Sequence, residues 1–288
     1  MSPLFKFCII GISDHQGVIN VGGRVGAAGG PAAFRKIFSR FSGKNKIHDS
    51  CRDLGDVPGL NSDIASNHRK AADLICTGHT QNGISIVVGG SHDHGYSHLL
   101  GVLESLKSRS PKIRLGCINI DAHLDVRKPA PLISSGSPFF LAIEAGVLDP
   151  KRFIEFGIQS HCNAPPLWDY IEQKKVKTIP FELLRHGEAV NVFKKNLRKL
   201  ASVCDAVVVS LDLDAAACAF APGVSAPQAE GFTSSEIVEM MELSGQEKKV
   251  ISLGIFELNP EHDREDQTAR LAATAAYHFA EQVILKRS

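Results

Sequence analysis

The sequence predicts an α/β fold in three layers, α-β-α, with helices on both faces of a mostly parallel central sheet. Two observations carry this. Apolar runs of strand length alternate along the chain with stretches of helical periodicity, the pattern of strands joined by crossover helices. Three of those runs, residues 84–88, 114–120 and 206–211, lead into clustered Gly, Asp and His. The carboxyl ends of strands are where open α/β sheets place their active sites.

Taken in order, residues 5–12 form an apolar run suited to a first buried strand. Asp14, His15, Gln16 and Gly17 follow, and then the glycine-rich stretch 21–31. Neither the Rossmann nor the P-loop spacing is met there, so a tight loop at the rim of a site is expected rather than a phosphate cradle. Pro31 opens a helix through Phe41, since its missing N–H would be unpaired in the first turn anyway. Residues 46–54 read as a short strand, and 61–76 as a helix closed by Gly78. The strand 84–88 is followed by a helix over 95–107, and the strand 114–120 by a loop over 129–138 and a short helix over 139–145. Strands at 152–159 and 177–181 enclose a helix at 166–174, and an amphipathic helix at 189–203 leads to the strand 206–211. After a loop at 220–227, Thr233 and Glu236 form a capping box that opens a helix to Leu243. Residues 250–258 are the last buried strand and 266–286 the final helix. No linker, repeat or low-complexity segment interrupts the pattern, so residues 1–288 are expected to form one domain.

Composition narrows the function. At 288 residues and 43% hydrophobic the chain can bury a sizeable core. A net charge of +1 offers no basic face for nucleic acid. The seven cysteines are scattered singly without a CxxC pair, which reads as reduced thiols in a cytoplasmic protein. The first twelve residues lack the pattern of a secretory signal, and no apolar run approaches the length of a membrane span. A cytoplasmic enzyme acting on a small molecule is the expectation, with no nucleic acid and no membrane as partner.

The acidic strand ends are specific. Asp121, His123 and Asp125 occupy alternate positions and point the same way if the strand continues past Ile120. Asp212 and Asp214 follow the run 206–211, and His92 follows Gly89, Gly90 and Ser91. Any one Asp could merely cap a turn. Four carboxylates and two imidazoles delivered together are ligand enough for two metal ions that share bridging carboxylates. Hard oxygen donors with only two imidazoles suit manganese over zinc, whose preferred sites hold sulfur or more nitrogen.

With these motifs in hand, the sequence resembles the ureohydrolase family of arginase, agmatinase and formimidoylglutamase over nearly its whole length. The resemblance runs through Asp14 to Gly17, Gly26 to Arg35, the glycines before His92, the Asp121 to Asp125 motif, Ser210 to Asp214, Ala221 to Pro227, and Phe256 to Pro260 with Asp263 and Thr268. It implies an arginase-like fold and two Mn2+ ions per chain. His92, Asp121, Asp125 and Asp212 would hold one ion, and Asp121, His123, Asp212 and Asp214 the other, with Asp121 and Asp212 bridging. Within the family the chain looks most like formimidoylglutamases. The segment Ser134 to Phe139 lacks the histidine that arginases and agmatinases carry near there, and Arg127 could pair with a substrate carboxylate. Tyr96, His98 and the residues Val224 to Pro227 point the same way; Ser91 and the pair Ala217-Cys218 depart from the family pattern. The implied activity is hydrolysis of N-formimino-L-glutamate to L-glutamate and formamide. Asp125 would move a proton, Glu257 would orient the amidinium, and Arg127 would bind substrate. Two other readings stay open: hydrolysis of a guanidino substrate such as arginine, agmatine or guanidinobutyrate, and a non-catalytic metal-binding protein. His15, His94, His98 and His161 are expected to be hydrogen-bonded scaffold, and the family habit is a homo-oligomer.

Overall fold

Eight strands pair side by side, all parallel, in the computed structural model, which describes residues 6–108 and 110–286. They are β1 (Phe7–Ile12), β2 (Cys51–Asp56), β3 (Ser85–Gly89), β4 (Leu115–Ile120), β5 (Phe153–Ile158), β6 (Lys177–Pro180), β7 (Ala206–Asp212) and β8 (Val250–Phe256). Phe5, where the first strand is expected to begin, lies outside the described residues. The order across the sheet is β2-β1-β3-β8-β7-β4-β5-β6. β1, β4, β5 and β7 are buried at every position, which is why they read as continuous apolar runs rather than alternating ones.

Helices cover both faces. On one side α2 (Gly30–Phe38), α7 (Ala189–Val203), α8 (Ser234–Gln246) and α9 (Gln267–Lys286) pack around Phe34, Phe193, Met240 and Phe279. On the other, α3 (Ile64–Asn82), α4 (His94–Lys107), α5 (Pro138–Glu144) and α6 (Pro165–Lys174) pack around Ile75, Leu99, Phe139 and Ile171. This is the three-layer arrangement expected from the alternation of elements.

Two local expectations are corrected and one element is added. Gly78 does not close a helix: α3 runs four residues further, to Asn82, and Gly83 in the left-handed conformation is its stop. A Cβ on Gly78 would meet Leu54 Cδ1 at 2.6 Å and Ile10 Cδ1 at 3.0 Å, so that glycine serves the packing of helix on sheet. Residues 46–50 are not strand; a 3₁₀ turn (Ile47–Ser50) precedes β2, which pairs only with β1 and is half exposed at the sheet edge. A short helix, α1 (Gln16–Val21), precedes the glycine-rich stretch where no element is expected; Asp14 Oδ1 accepts the Gln16 N–H at 2.8 Å and turns the chain into it.

The order of the four central strands positions the site. β3, β8, β7 and β4 are consecutive neighbours, and register levels their ends: Ile120 pairs with Leu211, Leu211 with Ile255, and Ile255 with Val88. The next residues along each strand therefore emerge in one row. Strands about 4.8 Å apart bring side chains from all four within reach of a common centre.

Beneath this row a buried polar chain crosses the apolar layer under α3 and α4. His98 Nε2 bonds the Ser252 hydroxyl, Ser252 bonds Ser85 at 2.7 Å, and Ser85 bonds His79 Nδ1 at 3.2 Å. Burial, together with the nearby His79 and His92, pushes His98 down to about 3. A histidine held neutral in the fold stabilises fully above its unfolded pKa of about 6.5, and that stability is lost as pH falls toward 3. Lowering the pH from 7 to 5 is expected to cost metal-free wild-type protein about 2 kcal/mol more than His98→Gln. Urea unfolding of both at the two pH values checks it; equal losses would refute the buried neutral imidazole.

Candidate metal centre

The two acidic motifs are shaped by turns as much as by strands. β4 ends at Ile120, so strand alternation does not carry Asp121, His123 and Asp125 to one side as expected. Asp121 Oδ1 accepts the His123 N–H at 2.7 Å, and Asp125 adopts φ +47°. Asn163 holds the same turn: its Oδ1 accepts the Leu124 N–H at 2.8 Å, and its amide donates to the carbonyls of Ala122 and Gln159. Asp212 is the last residue of β7; its Oδ1 accepts the Asp214 N–H at 2.9 Å in the 3₁₀ turn that follows. Capping a turn and facing a shared centre are thus combined in the same carboxylates.

His92 reaches the row from β3 through a loop that needs Gly90, where a Cβ would lie 1.9 Å from the Asp14 carbonyl oxygen. Its Nδ1 lies 3.2 Å from Asp121 Oδ2, 3.0 Å from Asp125 Oδ2 and 2.9 Å from Asp212 Oδ2, yet makes no hydrogen bond. Its Nε2 faces the Ser210 hydroxyl at 2.9 Å. That contact leaves Nδ1 free to serve as a ligand atom. His123 Nδ1 lies 3.1 Å from Asp214 Oδ2 and 3.5 Å from Asp121 Oδ1. Two groups of donors result: His92, Asp121, Asp125 and Asp212, and beside them Asp121, His123 and Asp214. Asp121 belongs to both. Asp212 joins the first group only, whereas the sequence leads one to expect it in both.

Electrostatics explains why this set suits cations. All four aspartates are buried. Burial and the charges of Asp214 and Asp121 push Asp212 well above the ordinary carboxylate range; burial and Asp121 raise Asp125, and burial raises Asp214 to about 6. Asp121 alone is held low, because its contacts with His123 and His92 outweigh its burial. Burial opposes a charge on His92, but the carboxylates around it win and push its pKa well up. Like charges this close ionise together only with positive charge among them. His92 Nδ1 and Asp214 Oδ1 are buried without hydrogen-bond partners. Orphaned donor atoms, oxygen-rich and grouped in two sets about one shared carboxylate, fit a pair of hard divalent cations.

Glu257 follows β8 at φ +64°. Its Oε1 accepts the His92 N–H at 2.8 Å while its own N–H donates to the Gly90 carbonyl at 2.7 Å, a reciprocal lock between the ends of β3 and β8. Among the described residues its Oε2 has no hydrogen-bond partner, and burial pushes the carboxyl up to about 7. A cavity of about 160 Å³ opens over the row, lined by His92, Asp125, Glu257, Arg127 and Ser225 among others. Arg127 is exposed to it, and no carboxylate pairs with its guanidinium among the described residues.

Sequence reasoning missed the supports. A third group of donors, His68, Asp93 and His94, is closed on itself: His68 Nε2 donates to Asp93 Oδ2 at 2.7 Å, Ser91 bonds Asp93, and His94 Nε2 meets Asp14 Oδ2 at 3.0 Å. It braces the loop that carries His92, as expected of a scaffold role for His94. Arg24 of the glycine-rich loop bonds the carbonyls of Pro222, Val224 and Ser225, and Asn259 amide hydrogens reach the carbonyls of Arg24 and Val25. The loop expected at the rim thus ties down the segment carrying Ser225. Carbonyl targets far away in sequence leave no local signal. No helix among the described residues is long and apolar enough to cross a membrane.

Comparison with known proteins places the chain. The family model described as the arginase family matches residues 5–281. A formimidoylglutamase of Staphylococcus carnosus is 31% identical over 273 residues, covering 94% of this chain and 84% of the relative. One from Streptococcus pyogenes is 30% identical, covering 96% of this chain and 84% of that one. Among solved structures, Trypanosoma cruzi formiminoglutamase with Mn2+ superposes with a TM-score of 0.87 at 27% identity, over 99% of this chain and 96% of that one. Formimidoylglutamase from Bacillus subtilis shares the fold with a TM-score of 0.88, at 22% identity over 99% and 89% of the two chains. With the parallel sheet, the strand-end ligand row and the family match in agreement, the chain belongs to the arginase family.

Proposed function

We propose that the protein is a binuclear manganese hydrolase that cleaves the formimino C–N bond of N-formimino-L-glutamate, releasing L-glutamate and formamide. The observation that carries the reading is the cavity itself: its lining joins the two donor groups to Glu257 and to Arg127, whose guanidinium pairs with no carboxylate among the described residues. Identity to formimidoylglutamases over most of both chains supports the choice of substrate.

His92, Asp121, Asp125 and Asp212 would hold one ion, and Asp121, His123 and Asp214 the other, with Asp212 the fourth donor that the resemblance implies. Bound there, two divalent ions lower the pKa of water enough to make hydroxide available at neutral pH. Asp125 accepts a hydrogen bond from the attacking oxygen and passes the proton to the departing amine. Glu257, locked to the His92 loop through one oxygen, offers the other to the substrate amidinium and holds its carbon in line for attack. Arg127 pairs through two N–H groups with a substrate carboxylate. Burial of the carboxylates excludes the water that would otherwise weaken these contacts.

The deciding assay offers the manganese-loaded protein N-formimino-L-glutamate, arginine and agmatine in parallel and scores glutamate, formamide and urea. Glutamate with formamide from the first substrate alone is expected; urea from either of the others would assign the cavity to a guanidino substrate. Turnover of none, with manganese bound, would leave a non-catalytic metal-binding protein.

Two variants separate the roles. Asp125→Asn should lower kcat by roughly 100-fold or more. The same variant, metal-free, should melt above metal-free wild type, because it removes one of the mutually repelling buried carboxylates. Arg127→Met should raise KM for N-formimino-L-glutamate about 10- to 100-fold with little change in kcat, the mark of a lost ground-state contact. A kcat loss with KM unchanged would place Arg127 elsewhere in the mechanism.

A further inference from the structure

A second polar row lies one step behind the ligands. Glu155 of β5 pairs in register with Asn119 of β4, and Asn119 with Ser210 of β7. Asn119 and Ser210 each stand two residues before a bridging candidate, Asp121 and Asp212. All three are buried, Asn119 and Glu155 within strands that are otherwise apolar. Ser210 has a visible task, since its hydroxyl meets His92 Nε2. Glu155 does not. No lysine or arginine pairs with it among the described residues; the one hydrogen bond of its carboxyl there is from Asn119, and its Oε1 has no partner. A lone buried carboxyl is worse for stability than an apolar side chain of the same size.

Its geometry supplies a reason. The Asn119 amide has two N–H donors, and both are used: Nδ2 lies 3.1 Å from Asp121 Oδ2 and 3.0 Å from Glu155 Oε2. Turning the amide over would set its carbonyl oxygen against two carboxyl oxygens. Glu155 and Asp121 together thus set which way Asn119 faces, and Asn119 holds Asp121 Oδ2. The other oxygen, Oδ1, is held by the His123 N–H. Asp121 Oδ2 is the atom that faces His92, and Oδ1 the one that faces His123. Among the described residues Asp212 has no comparable side-chain donor; its oxygens meet the Asp214 N–H and His92.

We infer that Asn119 and Glu155 are a positioning pair for Asp121, presenting its Oδ2 to the ion beside His92 and so setting how tightly the two ions are held. This rests on Asp121 being the shared ligand proposed above. It assigns a reason for a buried glutamate 34 residues beyond the motif it serves.

The test titrates metal-free protein with Mn2+ by calorimetry and follows the electron paramagnetic resonance signal. Glu155→Gln keeps an acceptor for Asn119 and should bind both ions within about threefold of wild type, while Glu155→Met and Asn119→Leu should lose about 10- to 100-fold for one ion. At two equivalents those two variants should show isolated Mn2+ where wild type shows a coupled pair. Wild-type affinity for both ions in the Met and Leu variants would overturn the inference. So would equal losses in the Gln and Met variants, since the acceptor and not the charge is assigned the role. Loss of the metal-free fold in both apolar variants, read by circular dichroism, would make the pair a fold determinant and overturn it too. A wild-type protein that binds no Mn2+ would instead sink the metal centre on which the inference stands.

Discussion

Four aspartates crowded into one buried row repel one another, and the arrangement around them is a response to that constraint. A carboxylate in a low-dielectric interior is costly unless it is bonded or neutralised. The fold bonds one oxygen of Asp121 and one of Asp212 to backbone N–H groups and turns the other toward His92. What backbone and imidazole cannot neutralise is left for cations. The same excess of negative charge that would destabilise the chain alone is the source of its affinity for metal, so stability and ligand binding are set by one set of atoms.

The sheet makes such crowding possible. β7 and β8 enter between the halves β2-β1-β3 and β4-β5-β6, so four strands from distant parts of the chain end side by side. Three of the segments that follow are braced by a neighbour: the Asp121 turn by Asn163, the His92 loop by the His68 and His94 pairs, and the segment at Ser225 by Arg24. His68 and His94 stand on α3 and α4, which are themselves packed on the core. Rigid support of this kind holds side chains to the tolerance that chemistry requires.

How much of this could be read from the sequence follows from the range of each interaction. β4, β7 and β8 are legible because burial on both faces demands unbroken apolar runs; any one Asp after such a run could cap a turn, and it is the four carboxylates and two imidazoles together that mark the site. Gly78 misleads because a helix end and a close helix-on-sheet contact call for the same residue, and only the Leu54 and Ile10 side chains beside it distinguish them. Residues 46–50 mislead because an edge strand and a 3₁₀ turn carry similar short mixed patterns. Asn119 and Glu155 are visible as polar letters in apolar words, but the bond that joins them spans 36 positions and needs the register of β4 on β5.

Backbone strain marks where local preference was overruled. Asp125 and Glu257 both have φ in the left-handed region, at +47° and +64°, where non-glycine residues are uncommon. Neither can be replaced by the relaxed conformation without turning its carboxylate out of the cavity: Asp125 would leave His92, and Glu257 would break the bond from the His92 N–H. The strain at each, of order 1–3 kcal/mol, is sustained by contacts on both sides of the residue, since Phe139 N–H holds the Asp125 carbonyl and Gly90 the Glu257 N–H. Two strained residues bordering one cavity, each held in place by the His92 loop or its neighbours, indicate that the backbone here is shaped by what the carboxylates must face and not by what the chain prefers.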